Sequence, residues 1–533
     1  MRPMRDRPQP RRLLHAVIDG LGDEQLSSAL AAGIAPTIAA LLEAGAIRGR
    51  AISPYPSLTP VCLSTLATGV LPDVHRIPSL SWYHRGQRRF VEYGSSFSAT
   101  SVEGARQTVE DVVFNLNHVH LAETPPTIFE LVEQAGFEAA SINQIVFRGA
   151  HRHTPKYPIT GAARWYGQLE AVYGPRWFWY GELFGPWRPV IPQRGVKRPR
   201  DMSAARIARY LIRETDAAYV LFYLGEHDKK AHASGPGGVE EAVRTADRAI
   251  GRAIEAAGGL DRFLSEWAII VCADHGQVDV ARDRHHTWEE VFDDLELFRG
   301  ARQHDSRRRP VTQVRRRTAV TRHPQVAISP SNRCAMLYRL DDSAPQLQEL
   351  AERAVAEDAA DVVSYVDDGS IIVLRGDGRL VLTPDVDGLR PLPSGDVDLH
   401  RGERRWALEG DLDVLDLAVD DAGHVSYGAY PDAIARLAAA HDCVNSGDVF
   451  ISAAAGTEYT DIGGTAHAGG SHGSLHGADS TAAFLAHGLG VGDVLQPGMT
   501  IRLADIYGLV GAHFGLLPAS AFTAGGLIRG GYD

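Results

Sequence analysis

Three short apolar runs, LLHAVI at 13–18, YVLFYL at 219–224 and AIIVCA at 268–273, stop abruptly at acidic and imidazole residues. Their continuous rather than alternating apolar character, rich in Val, Ile, Leu and Tyr, predicts buried parallel strands, with helices in the stretches between them. The first run ends at Asp19, the second is followed by Asp228 and His232, and the third by Asp274 and His275. In an open α/β sheet the C-terminal strand ends form the binding edge, so residues far apart in the chain converge there. Enclosing such a cluster without a cation is costly, and a divalent metal is its natural partner.

Between the runs the apolar positions shift to helical spacing. APTIAALLEAGA places Pro36 in a first turn and Gly45 at a terminus. VEEAVRTADRAIGRAIEAAGG lines up Val243, Ala246, Ile250 and Ile254 on one stripe, stops at a glycine pair and leads into the Asp274 run. STAAFLAHGLG predicts one more buried strand, after the Gly- and His-rich loop AHAGGSHGSLHG. From about 285 to 425 the texture changes to Arg clusters, Asp-Gly turns and alternating runs such as SYVDDGSIIVLRGDGRLVLTP, which predict hairpins. Within it, QLQELAERAVAE reads as a helix between the strand-like CAMLYRL and VVSYV. The expectation is an α/β fold, a mostly parallel sheet sandwiched by helices, formed by residues 1–285 and 425–533, with 286–424 an inserted α+β lobe. The segment 165–187 holds Trp165, Trp177, Trp179 and Trp187, which reads as packing of a loop-rich flap, or as a hydrophobic substrate wall.

SPYPSLTPVCLSTLATG has a local logic of its own. Thr59 suits an N-cap, Pro60 the first helical position, and Gly69 the helix end. A hydroxyl at a helix N-terminus faces unpaired N–H groups and the positive dipole end, a place that stabilises an alkoxide or an anionic group carried on it. Alone, Thr59 reads as a cap. Beside a metal cluster that lowers the hydroxyl pKa, it reads as a nucleophile.

Composition narrows the partners. With 44% hydrophobic and 23% charged residues the chain has an ordinary globular core, and a formal charge of −12 argues against a nucleic-acid polymer as partner. Cys62, Cys272, Cys334 and Cys443 are widely spaced and predict buried thiols rather than a metal knuckle or disulfide scaffold. The basic MRPMRDRPQPRR passes into a run too short and too soon acidic for a signal-peptide core, and no apolar stretch reaches the about 18 residues of a membrane helix. A cytoplasmic protein without a membrane span is expected.

Together these residues resemble the type I phosphodiesterase/nucleotide pyrophosphatase family of the alkaline phosphatase superfamily. The resemblance lies in Ile18-Asp19-Gly20, in Pro56 and Thr59 followed by Thr68-Gly69, Pro72 and His75, in Asp228 and His232 with Gly235-Pro236 after them, in Asp274-His275-Gly276, and in a late His-Gly, all in the family's order. It implies an alkaline-phosphatase-like fold and a two-metal site, with zinc, or manganese as the harder alternative. Asp19, Thr59, Asp274 and His275 would hold the metal that activates the nucleophile. Asp228, His232 and a late histidine would hold the other, with His472 of Ser471-His472-Gly473 preferred over His476. The implied activity is hydrolysis of a phosphodiester or phosphoanhydride bond in a small phosphorylated substrate through a phosphothreonine intermediate. The same site could serve a phosphomonoesterase or a phosphoryl or phosphoethanolamine transferase; a silent binding protein is the remaining reading, disfavoured because every ligand position is chemically competent.

The pattern departs from the family at one place. Where nucleotide pyrophosphatases carry a phosphoryl-binding asparagine after the His-Gly-Ile stretch, this chain reads His75-Arg76-Ile77-Pro78-Ser79-Leu80, and Leu80 takes that position. Ser79, Ser81 or Asn117 are candidate replacement donors, each equally readable as an ordinary structural residue. The run Cys62-Leu63-Ser64-Thr65-Leu66 lacks the proline and arginine of a sulfatase. The arginines between Arg302 and Arg322 read as a solvated face or as a polyanion contact, and His285 and His286, adjacent in sequence, would point apart.

Overall fold

The computed structural model describes residues 11–156, 171–181, 183–186, 200–281, 283–300, 323–391, 404–421, 423–491 and 494–517. Its centre is the first apolar run. Arg12–Ile18 pairs in parallel with Tyr219–Leu224 on one side and Trp267–Cys272 on the other, in a register that sets Ile18 opposite Leu224 and Val17 opposite Cys272. All three strands therefore end on the same edge.

They belong to an eight-stranded sheet in the order Thr500–Arg502, Ile47–Ile52, Thr481–His487, Trp267–Cys272, Arg12–Ile18, Tyr219–Leu224, Ala139–Ile142 and Trp177–Trp179. Every pairing is parallel except the two made by Thr481–His487. The strand Ile47–Ile52 carries no apolar run, because its two arginines point outward to partners: Arg48 reaches Asp23 at 2.7 Å and Arg50 donates to the Thr500 hydroxyl at 3.0 Å. The expected helices are Pro36–Glu43 and Glu240–Ala256. Asp247 of the second supplies the first with the cap its own sequence lacks, accepting from the backbone N–H of Thr37 and Ile38 at 3.1 and 2.9 Å.

A second, ten-stranded sheet includes Val326–Ser331, Cys334–Arg339, Ala360–Asp367, Ser370–Arg375, Gly378–Pro391 and Val449–Ala453. The expected hairpins from Ala360 to Pro391 are antiparallel neighbours, and Leu347–Val355 is the expected helix. Trp179 is buried and Trp177 donates to Glu138 at 2.8 Å, so these two indoles serve packing; Trp165, Trp187 and the Arg302–Arg322 cluster lie outside the described residues. All four cysteines are free and buried. Among the described residues no single helix is long and apolar enough to cross a membrane.

The turn between Val326–Ser331 and Cys334–Arg339 is tied to the loop that precedes Thr481–His487. Arg333 pairs with Asp479 at 2.9 Å, both fully buried, and also donates to the Ala454 and Thr457 carbonyls at 3.2 and 2.8 Å. Removing one partner of a buried pair strands the other charge. Arg333→Met is expected to destabilise by about 3–5 kcal/mol, whereas Arg244→Met, which breaks an exposed pair with Glu241, should change stability by less than about 1 kcal/mol. Thermal midpoints of the two variants check this; equal shifts would deny the turn its anchoring role.

Candidate metal centre

The common strand edge gathers two groups of donors. In the first, Asp19, Asp274 and His275 bring one ligand atom each within 4.8 Å of one another. Asp19 directly follows the first strand, where Gly20, at φ +72°, turns the chain away and donates its N–H to Asp274 at 3.1 Å. His275 Nε2 lies 3.4 Å from Asp19, 3.6 Å from Asp274 and 3.1 Å from the Thr59 hydroxyl. The helix Thr59–Thr68 starts one residue earlier than the sequence suggests, with Leu58 as N-cap and no side-chain cap. Thr59 Oγ1 does not fold back on its own helix. It faces the donors.

The second group is Asp228, His232 and His472, again within 4.8 Å. Asp228 lies in the first turn of Glu226–Ser234, and His232, four residues on, shares its face at 3.3 Å. His472 comes from the loop before Thr481–His487 and stands 3.6 Å from Asp228, while its ring stacks on that of His275 with centroids 3.6 Å apart. The two groups thus touch through one imidazole pair.

All three imidazoles are oriented the same way. Nδ1 of His275, His232 and His472 donates to the carbonyls of Gly276, Gly470 and Ser57, at 3.0, 2.8 and 2.8 Å. In the neutral imidazole each Nε2 then carries a lone pair pointing into the cluster, the arrangement by which proteins prepare histidine ligands. Asp19 Oδ1 and Asp274 Oδ2 are buried and accept no hydrogen bond. Burial, with the charges of Asp228 and Asp274 added, pushes the Asp19 carboxyl well above the usual carboxylate range, and burial also raises Asp274 against the pull of His275. Burial acts upward on Asp228 too, but His232 and, after it, His472 hold that carboxyl well below the usual range. His472 itself is pushed well below the ordinary histidine value by burial and by neighbouring His275. Orphaned carboxylate oxygens beside three directed imidazole lone pairs fit divalent cations. The all-oxygen and nitrogen set, without thiolate, suits zinc or manganese.

The structure therefore brings together Asp19, Thr59, Asp228, His232, Asp274, His275 and His472. His476 caps the short helix Gly477–Ser480 and packs on Tyr430 instead. His467 backs the centre by stacking on His232 at 3.7 Å, held by Glu458 at 2.6 Å. His285 and His286 pair along Glu458–Tyr459 in a separate two-stranded sheet. Three residues at the centre went unread in the sequence. Tyr223 hydrogen-bonds Asp19, Gln277 hydrogen-bonds Asp228, and Asn332 donates to His472 Nε2 at 3.2 Å. Gln277 follows Asp274-His275-Gly276 directly, which was a usable signal; Asn332 comes from the second sheet, and no local pattern announced it.

Leu80 packs against the main core. The candidate replacement donors are committed elsewhere. Asn117 donates to the Ile145 carbonyl and accepts from the Phe147 and Arg148 N–H groups, and the Ser79 and Ser81 hydroxyls bond Ser331 and Ser329.

The sequence profile of the type I phosphodiesterase / nucleotide pyrophosphatase family matches residues 13–375. Among solved structures, murine ectonucleotide pyrophosphatase / phosphodiesterase 5 (ENPP5, NPP5) is similar with a TM-score of 0.51 at 12% identity, covering 95% of each chain. An inactive threonine-to-alanine form of the same murine protein in complex with AMP gives 0.52 at 12% identity and the same coverage. At this identity the likeness is one of fold. No curated protein matches the chain in sequence.

Asp19 and Asp274 have folded-state pKa values above their unfolded ones. The metal-free folded protein then retains protons that the unfolded chain releases, so its stability falls as pH rises from the unfolded carboxylate value of about 4. A bound cation replaces those protons. Zinc is expected to raise the thermal midpoint of chelator-stripped protein more near pH 7.5 than near pH 5.5. An equal rise at both values would mean that these carboxyls do not meet the cation.

Proposed function

The chain belongs to the type I phosphodiesterase / nucleotide pyrophosphatase family, and we propose that it cleaves a phosphodiester or phosphoanhydride bond with Thr59 as nucleophile and two divalent cations, zinc or manganese, as cofactors. It is a hydrolase of the alkaline-phosphatase-like fold, in a metal-dependent family. The observation that carries the finer reading is the Thr59 hydroxyl, 3.1 Å from His275 Nε2 and turned out of its own helix toward the clustered donors. The inactive murine protein being a threonine-to-alanine form accords with it.

Asp19, Asp274 and His275 would hold one cation beside Thr59, and Asp228, His232 and His472 the other. Such ions, when bound, lower the pKa of a coordinated hydroxyl and neutralise charge on attacking and leaving oxygens. The chain's own residues do the rest. Pro60, and the Leu58 carbonyl that accepts from the Val61 and Cys62 N–H groups, hold the backbone on both sides of Thr59. Thr59 Oγ1 attacks phosphorus and gives up its proton to solvent, the leaving oxygen departs with the electron pair of its bond to phosphorus and takes a proton from solvent, and Thr59 carries the retained phosphate ester. Water then attacks the same phosphorus, releases the phosphorylated product and restores the hydroxyl. Tyr223, hydrogen-bonded to Asp19, and Gln277, hydrogen-bonded to Asp228, hold the carboxylates in place during both steps.

Thr59→Ala should keep the fold and most of the bound zinc while turnover of bis(p-nitrophenyl) phosphate falls by about three or more powers of ten. Thr59→Ser should recover part of it. Near wild-type turnover in the Ala variant would make direct attack by water the better mechanism.

A further inference from the structure

The second sheet reaches the centre through one two-residue turn. Ser331 and Cys334 are paired across it, and Asn332, the first residue between them, has φ +53°. A positive φ at this place in a two-residue hairpin loop is met by glycine or, among residues with a side chain, most readily by asparagine. The turn therefore carries a side chain here instead of the bare backbone that glycine would give.

Its aim is toward the donors. Asn332 is 6% exposed, and its Nδ2 lies 3.2 Å from His472 Nε2. Because His472 gives its Nδ1 proton to the Ser57 carbonyl, Nε2 can only accept, and the nitrogen rather than the oxygen of the Asn332 amide must face it. The turn is fixed from several sides. The Arg333 N–H donates to the His472 carbonyl at 3.1 Å, the Asn332 backbone carbonyl accepts from the Tyr459 N–H at 2.8 Å, and Ser331 Oγ accepts from the Ser81 N–H at 3.1 Å. Ser331 also takes the Ser79 hydroxyl at 3.2 Å, so Asn332 follows the residue that touches the 79–81 segment, where Leu80 offers no donor.

An imidazole nitrogen has one lone pair. Once His472 commits it to a cation, the Asn332 amide loses its acceptor while remaining buried, and a buried donor takes the next acceptor that enters. Gln277 differs, since its partner Asp228 is a carboxylate with lone pairs to spare. We propose that Asn332 is a substrate-positioning residue, whose side-chain N–H donates to a non-bridging phosphoryl oxygen of the ester attacked by Thr59. This rests on the phosphate-ester reading of the centre but not on a covalent intermediate.

Asn332→Gly removes the amide and suits the positive φ of the turn, so the fold and Arg333 anchor are kept; Asn332→Asp keeps the shape and opposes the phosphoryl charge. With zinc-loaded full-length protein, the Gly variant should bind as much zinc per chain as wild type, bind inorganic phosphate about tenfold more weakly, and lose about 10- to 100-fold in kcat/KM on bis(p-nitrophenyl) phosphate. The Asp variant should be worse than Gly in both. Loss of zinc in Asn332→Gly, restored in Asn332→Asp, would instead make Asn332 a metal ligand and overturn the proposal, as would unchanged phosphate affinity. Should wild type hydrolyse no phosphate ester, the hydrolase reading fails, and phosphate affinity of the variants still decides the role of Asn332.

Discussion

Three carboxylates and three imidazoles share one buried strand edge, and among the described residues no arginine or lysine forms an ion pair with those carboxylates. That imbalance constrains the rest of the structure. A buried carboxylate with no donor costs free energy unless it is protonated or met by a positive charge. Asp19 and Asp274, each with an oxygen that nothing donates to, show the cost directly. Asp228 escapes it only while His232 carries a proton at Nε2, the atom a cation would take in its place. The centre is therefore a destabilised element at neutral pH, tolerable because a large core surrounds it and because divalent cations can convert the deficit into binding.

The scaffold serves this constraint in two ways. Parallel pairing of Arg12–Ile18 with its two neighbours brings three loops to one edge, so each contributes ligands without a long excursion. Backbone carbonyls of Gly276, Gly470 and Ser57 then choose the tautomer of each histidine. The Thr59 helix enters from the same edge with its hydroxyl unspent on capping, leaving it free for chemistry.

How much of this could be read from the sequence depended on locality. Asp19, Asp228, His232, Asp274 and His275 follow apolar runs, and the runs declare both the strands and the edge. His472 was legible through Ser471-His472-Gly473 and its place before the AAFLAHG strand. The strand Ile47–Ile52 was not, since Arg48 and Arg50 interrupt its apolar pattern for the sake of partners in other elements. Asp247 as a cap for Pro36–Glu43 was invisible for a related reason: the helix and its cap are far apart in the chain. Asn332 is the clearest case. Its relevance follows only once the second sheet is docked by Arg333 and Asp479, a tertiary contact that no window of sequence contains.

The central claim is that phosphorus passes through Thr59, and the stereochemistry at phosphorus tests it most directly. Each in-line displacement inverts phosphorus, so attack by Thr59 followed by attack by water gives net retention. Hydrolysis by the zinc-loaded protein of a phosphorothioate diester of one configuration, in oxygen-18 water, should yield product with retained configuration. Inverted product would mean a single displacement by water, and Thr59 would then be a residue beside the reaction rather than its nucleophile.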